Sequence, residues 1–171
     1  MKKTDLLIAH NKGAYTIMVE GRANFDYGLP LRNFARNLDD DFNRIAIDLS
    51  SCLGMDSTFM GIMAMIGLKA KKNHVQVEII NAGKNNRYLL EGLGLDKLFK
   101  FVNQDKCEIC DKSASAPDEA STPLKTAETV VDAHKTLMDV DKGNVPKFEK
   151  VVEFAEQDLE ALKKQQDKDK K

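Results

Sequence analysis

Ser57 has more chemistry open to it than any other side chain in the sequence. It follows an apolar run at 45–49 and a short loop, opens a helix-like stretch that ends near Lys72, and is flanked by Asp56 and Thr58. A serine there can accept hydrogen bonds from unpaired backbone N–H groups of the first helical turn, and the spacing predicts Ser57 as the N-cap. A phosphate on the same hydroxyl would gain the positive end of the helix dipole, so spacing leaves a plain cap and a modified serine both open. Cys107 and Cys110 form a C-x-x-C pair, a spacing that can clamp zinc or cycle through a disulfide. Zinc takes four ligands, and the remaining candidates, Cys52, His10, His74 and His134, stand singly, so two ordinary cysteines at a domain edge is the simpler reading. His134 falls on the apolar stripe of a helix and reads as a packed side chain, while His10 and His74 flank turns. No Ser/His/Asp set, carboxylate pair or phosphate-binding glycine loop can be assembled, and the acidic run 39–41 reads as a solvated helix end.

The elements that must position Ser57 can be read from periodicity. Leu6–Ala9 and Tyr15–Glu20 are β-prone runs on either side of Asn11 and Gly13, residue types that tolerate positive φ and make a hairpin turn. Pro30 stands near a helix start, and Leu31, Phe34, Ala35 and Leu38 recur on one face, with Arg32, Arg36 and Asn37 off it. Arg44–Leu49 reads as a central strand, Val75–Ile80 as the next, Asn85–Gly92 as a short helix and Leu98–Val102 as a final strand. The order predicts an α/β domain with a mixed central β-sheet of about four to five strands flanked by helices. The helix after Ser57 carries Met60, Met63 and Met65 and is apolar nearly all round. Burial against the sheet explains that, whereas exposure of Met60 and Met63 would mark a surface that repacks against partners.

Beyond residue 103 the chain changes character. Its 171 residues carry 26 basic and 27 acidic side chains, but residues 1–103 hold 14 and 11 of these and the remainder 12 and 16. Such balance provides no global field for a nucleic acid or an anionic membrane, and no apolar run approaches the roughly 20 residues that span a bilayer. Three cysteines are too few for a disulfide scaffold, and the N-terminus lacks a signal-peptide core, which together lead to the expectation of a cytoplasmic protein. The Ser-, Ala- and Pro-rich stretch within 104–123 reads as a linker. Two apolar stripes follow, one from Ala127 to Met138 and one from Phe148 to Leu162, which predict a C-terminal helical hairpin over 124–162. Residues 163–171 contain no apolar side chain and are expected to be a disordered charged tail.

The stretch from the strand before Ser57 to Phe101 resembles STAS domains of the bacterial anti-sigma-factor-antagonist type. Asp48-Leu49 matches the strand end, Met55-Asp56-Ser57-Thr58 the switch motif, and Gly61 its second glycine. Gly94-Leu95 with Leu98-Phe99 matches the late glycine-leucine pattern, so the likeness covers about residues 5–103. The resemblance implies a STAS fold over 1–103 and phosphorylation at Ser57. It further implies a partner-binding surface formed by Asn24, Asp56, Ser57, Thr58, Phe59, Met60, Gly61 and Met63. The implied partners are an anti-sigma factor or serine kinase of the ATP-binding, histidine-kinase-like type and a metal-dependent serine phosphatase. The chain itself would be neither enzyme nor cofactor carrier, and a homodimer is left open. Two positions depart from the pattern: Phe59 stands where the family commonly has glycine, and Asn24 where it has an acid, so a bulky ring is expected beside the phosphosite. Two other classes are carried beside this one. One is a STAS scaffold subunit of a protein or lipid-transport assembly without phosphorylation, and the other a metal or thiol enzyme using Cys107 and Cys110.

Overall fold

The computed structural model describes residues 5–105, 114–115 and 121–171. Strands β1 (Asp5–Asn11) and β2 (Ala14–Ala23) form the expected hairpin, in register from Asp5 opposite Glu20 to Asn11 opposite Ala14. Its two-residue loop is Lys12-Gly13, at φ +47° and +83°. Positive φ at both loop residues gives the twist that lets strands pair tightly. His10 helps close the turn, accepting from the Gly13 amide at 3.2 Å and stacking on Tyr15.

The chain continues through α1 (Gly28–Asn37), β3 (Arg44–Asp48), β4 (Cys52–Met55), α2 (Ser57–Lys72), β5 (Val77–Ile80), α3 (Lys84–Gly92) and β6 (Phe99–Val102). The sheet order is β6-β5-β3-β2-β1, parallel from β6 to β2 and antiparallel between β2 and β1. The expected mixed sheet with flanking helices is therefore present, extended by two short strands, β4 and β7 (Ala114–Ser115), the latter pairing with β1. A buried run such as Ile45, Ala46 and Ile47 suits parallel strands covered on both faces.

Strand β4 lies where the sequence suggested only a loop, and it aims the chain at Ser57. The first half of β2 pairs with β3, and after a bulge between Gly21 and Arg22 the second half pairs with β4. Gly21 takes φ +76° there, a conformation costly for other residues. Asp48 holds the intervening turn by accepting from the Ser50 amide at 2.8 Å and its hydroxyl at 2.5 Å.

Helices α4 (Pro123–Val140) and α5 (Val145–Asp169) form the C-terminal helical hairpin. Thr122 caps α4 through the Lys125 amide, and Pro123 occupies the first turn, where its missing N–H costs nothing. The charged segment 163–171, expected to be disordered, instead continues α5 to Asp169. Lys and Gln are good helix formers, and Glu160 pairs with Lys164 one turn on. Residues 58–64 of α2 are all buried, nearly two full turns, which a helix resting on a sheet alone does not achieve. The second covering layer is α4: Ala133 and Leu137 are fully buried in the same core as Phe59, Met60, Ile62 and Met63.

Candidate functional site

Asp56 and Ser57 stand where β4 ends and α2 begins. Asp56, at φ −95° and ψ 171°, is the N-cap, and its Oδ1 accepts from the Phe59 amide at 2.8 Å. The expectation that Ser57 caps the helix is thus corrected by one residue. Ser57 is already helical, so the capping bond is made by the Asp56 side chain and not by the Ser57 hydroxyl. Its oxygen lies 2.9 Å from Nε2 of His134 on α4. Nδ1 of the same ring lies 2.7 Å from the Val130 carbonyl, which can only accept, so Nδ1 carries a proton. In the neutral ring Nε2 is then an acceptor, and the Ser57 O–H donates to it. His134 is 3% exposed, with Phe148 of α5 packed edge-on against the ring at 5.0 Å.

The remaining residues implied as partner-binding divide into two groups. Asn24 is exposed on the loop after β2, next to Ala23, whose carbonyl accepts the Asp56 amide at 3.2 Å, so this loop does lie beside the Ser57 turn. Thr58, Phe59, Met60, Gly61 and Met63 are buried, Met60 at 5% exposure and Met63 at 0%. The methionines are therefore core side chains in this structure. Phe59 is fully buried, so its ring fills the core rather than standing beside the Ser57 hydroxyl as expected. Gly61 has a particular use: a Cβ there would fall 2.7 Å from the Ala133 carbonyl carbon, so glycine lets α4 cross α2 backbone to backbone.

Three features of the site were not legible in the sequence. Arg32, read as lying off the apolar face of α1, is 4% exposed. Its Nε and Nη2 donate to Oδ2 of Asp132 on α4 at 3.0 and 2.6 Å, with Glu128 3.9 Å from Nη1. Paired in this way, a guanidinium can be buried at tolerable cost. Asn144, between α4 and α5, is 1% exposed and donates to the carbonyls of Leu93 and Leu137. Asp141 accepts from Lys97 at 2.7 Å, and this bond, more than any other influence, holds its carboxyl below the usual range. The one available signal was His134, a polar residue on an apolar stripe. Burial demands a partner for such a side chain, but no spacing within α4 says which.

Cys107 and Cys110 lie outside the described residues. Cys52 is a buried free cysteine whose thiol is pushed up by desolvation. Among the described residues, no three His, Cys, Asp or Glu side chains are grouped to hold a metal ion. No helix among them is long and apolar enough to cross a membrane. The chain matches no family model and no curated protein. It is similar to a solved structure titled "Structure of the Anti-Sigma Factor Antagonist SpoIIAA in its Unphosphorylated Form", at 11% identity and a TM-score of 0.45, over 62% of this chain and 91% of that one.

Proposed function

We propose that this protein is an anti-sigma-factor-antagonist-like regulator of a partner-switching pathway, acting in the cytoplasm and controlled by reversible phosphorylation of Ser57. It is substrate and ligand rather than catalyst. A partner kinase supplies ATP and Mg²⁺: the Ser57 oxygen forms a bond to the γ-phosphorus, ADP leaves, and the hydroxyl proton passes to the kinase's base. A metal-dependent serine phosphatase reverses this with water, releasing inorganic phosphate. The observation that carries the reading is the division of labour at the start of α2. Asp56 does the capping, and Ser57 is left with a hydroxyl that the helix backbone does not use. A phosphate there adds a charge of about −1.5 to −2 at the positive end of the helix, stabilising itself locally while opposing any partner that must desolvate it.

A second reading, a STAS scaffold subunit without phosphorylation, is favoured by one observation: the Ser57 hydroxyl is already hydrogen-bonded to His134. Tandem mass spectrometry of the protein recovered from the cells that make it separates the two. The switch predicts a fraction of molecules carrying phosphate on Ser57, and retention of an ATP-binding serine kinase on immobilised wild-type protein but not on Ser57→Asp. Absence of the phosphate, with the same partners retained on both, would leave the scaffold reading.

A further inference from the structure

The contact between the C-terminal hairpin and the α/β layer differs in kind from the rest of the core. In the core built on the sheet the buried side chains are large and apolar, among them Ile17, Ile45, Ile47 and Ile79 of the strands and Phe59 of α2. Between α4 and α2 the close approach is made by Gly61 against Ala133 and the specific bond is Ser57 with His134, while α1 is tied to α4 through Arg32 and Asp132. At the far end, Asn144 bonds to Leu93, Lys97 to Asp141, and Lys147 to the Gly92 carbonyl. The groups in these bonds regain water when separated, which offsets part of the cost of lifting the layer. Small residues and polar pairs fix where α4 sits over an apolar face in which Ala133 and Leu137 share the core of Phe59, Met60, Ile62 and Met63. Such polar pairing is the character of surfaces between units that part and rejoin.

We infer that α4 and α5 form a detachable cover over α2, and that it must lift before a partner or a kinase can reach Ser57. This rests on the reading of Ser57 as the switch and adds a layer of control to it. With Ser57 oxygen and His134 Nε2 only 2.9 Å apart, a phosphoryl group does not fit between them, so the Ser57–His134 bond that holds α4 here and a phosphorylated Ser57 exclude one another. When α4 lifts, it bares the Gly61 groove, the Ser57 hydroxyl and the Arg32 guanidinium. Together these suit a partner helix that presents a small residue with a carboxylate beside it, as Ala133 and Asp132 do.

Hydrogen–deuterium exchange on the full chain tests the cover directly. Gly61→Ala improves α2 as a helix but puts a methyl group against the Ala133 backbone. The expected result is that peptides of α4 and α5 exchange at least about tenfold faster, while those of β3 and β5 keep wild-type rates. Should Gly61→Ala disturb the whole fold, Asp132→Asn gives the milder version, with a smaller change confined to the same two helices. Peptides of α4 that exchange in step with β3 and β5 in both variants, or that do not respond in either, would overturn the inference. No kinase takes part, so the two ideas fail separately. A cover that lifts in a protein never phosphorylated removes the switch reading alone, and a phosphorylated protein whose α4 moves only with the core removes the cover alone.

Discussion

At the start of α2, two adjacent residues share between them what one serine was expected to do. Asp56 holds the first turn, and Asp56→Ala should cost about 0.5–2 kcal/mol in urea denaturation, with Asp56→Ser recovering most of it. Ser57→Ala acts differently, since it leaves Nε2 of the buried His134 without its donor. A loss of about 1–3 kcal/mol is expected, and combining it with His134→Phe should cost less than the two single losses added together. Both Asp and Ser are N-cap types, so the sequence left the boundary uncertain by one residue. Only the extended backbone of Asp56 decides it, and that conformation follows from the pairing of β4 with β2, which no local pattern announces. Cys52 offers a check on burial at the same scale. With its thiol pushed up by desolvation, its alkylation by iodoacetamide near neutral pH, read by peptide mapping, should be many times slower than in the denatured chain.

Helices and long strands were legible because each carries a local signal: the stripes of α1, α4 and α5 and the β-prone runs on either side of the turn at Asn11 and Gly13 are local facts. What one element does to another was not. Arg32 was placed off the apolar face of α1, correctly for an isolated helix, yet it is buried because α4 brings Asp132 and Glu128 across the chain to meet it. Likewise β4 and β7 are too short to carry a pattern and exist through their partners β2 and β1. The end of α5 shows the reverse case, in which good helix formers extend a helix without any tertiary partner. All of residues 163–171 are exposed, so deleting them should change unfolding free energy by less than about 0.5 kcal/mol, whereas Leu137→Ala, inside the covered face of α4, should cost about 2–5 kcal/mol.

Across the whole molecule, the hairpin is tied to the α/β layer at two ends, and the two ties differ in how far they are open to water. At the Ser57 end the bonds are short and largely buried. At the other end the tie is the ion pair of Lys97 and Asp141, both partly open to water. Lys97 holds the Asp141 carboxyl below its ordinary value, helped by the Gly143 amide at 2.8 Å. Stability from this carboxylate is therefore complete above the ordinary carboxylate value and is lost as pH falls through the lowered one. The lysine is raised by the same bond, so its share is complete below the ordinary lysine value and is lost as pH rises through the raised one. The share of docking that comes from this pair should thus be level from about pH 5 to about pH 9 and weaken beyond both limits. Asp141→Asn keeps an oxygen for the Gly143 amide but removes the charge, so it should lower the plateau slightly and remove this pair's share of the loss at either end. Because both groups are solvated, the difference between wild type and Asp141→Asn should shrink in about 1 M salt. Exchange rates of α4 peptides measured across this range provide the check: equal pH dependence in the two proteins would mean that Lys97 and Asp141 do not hold the hairpin down.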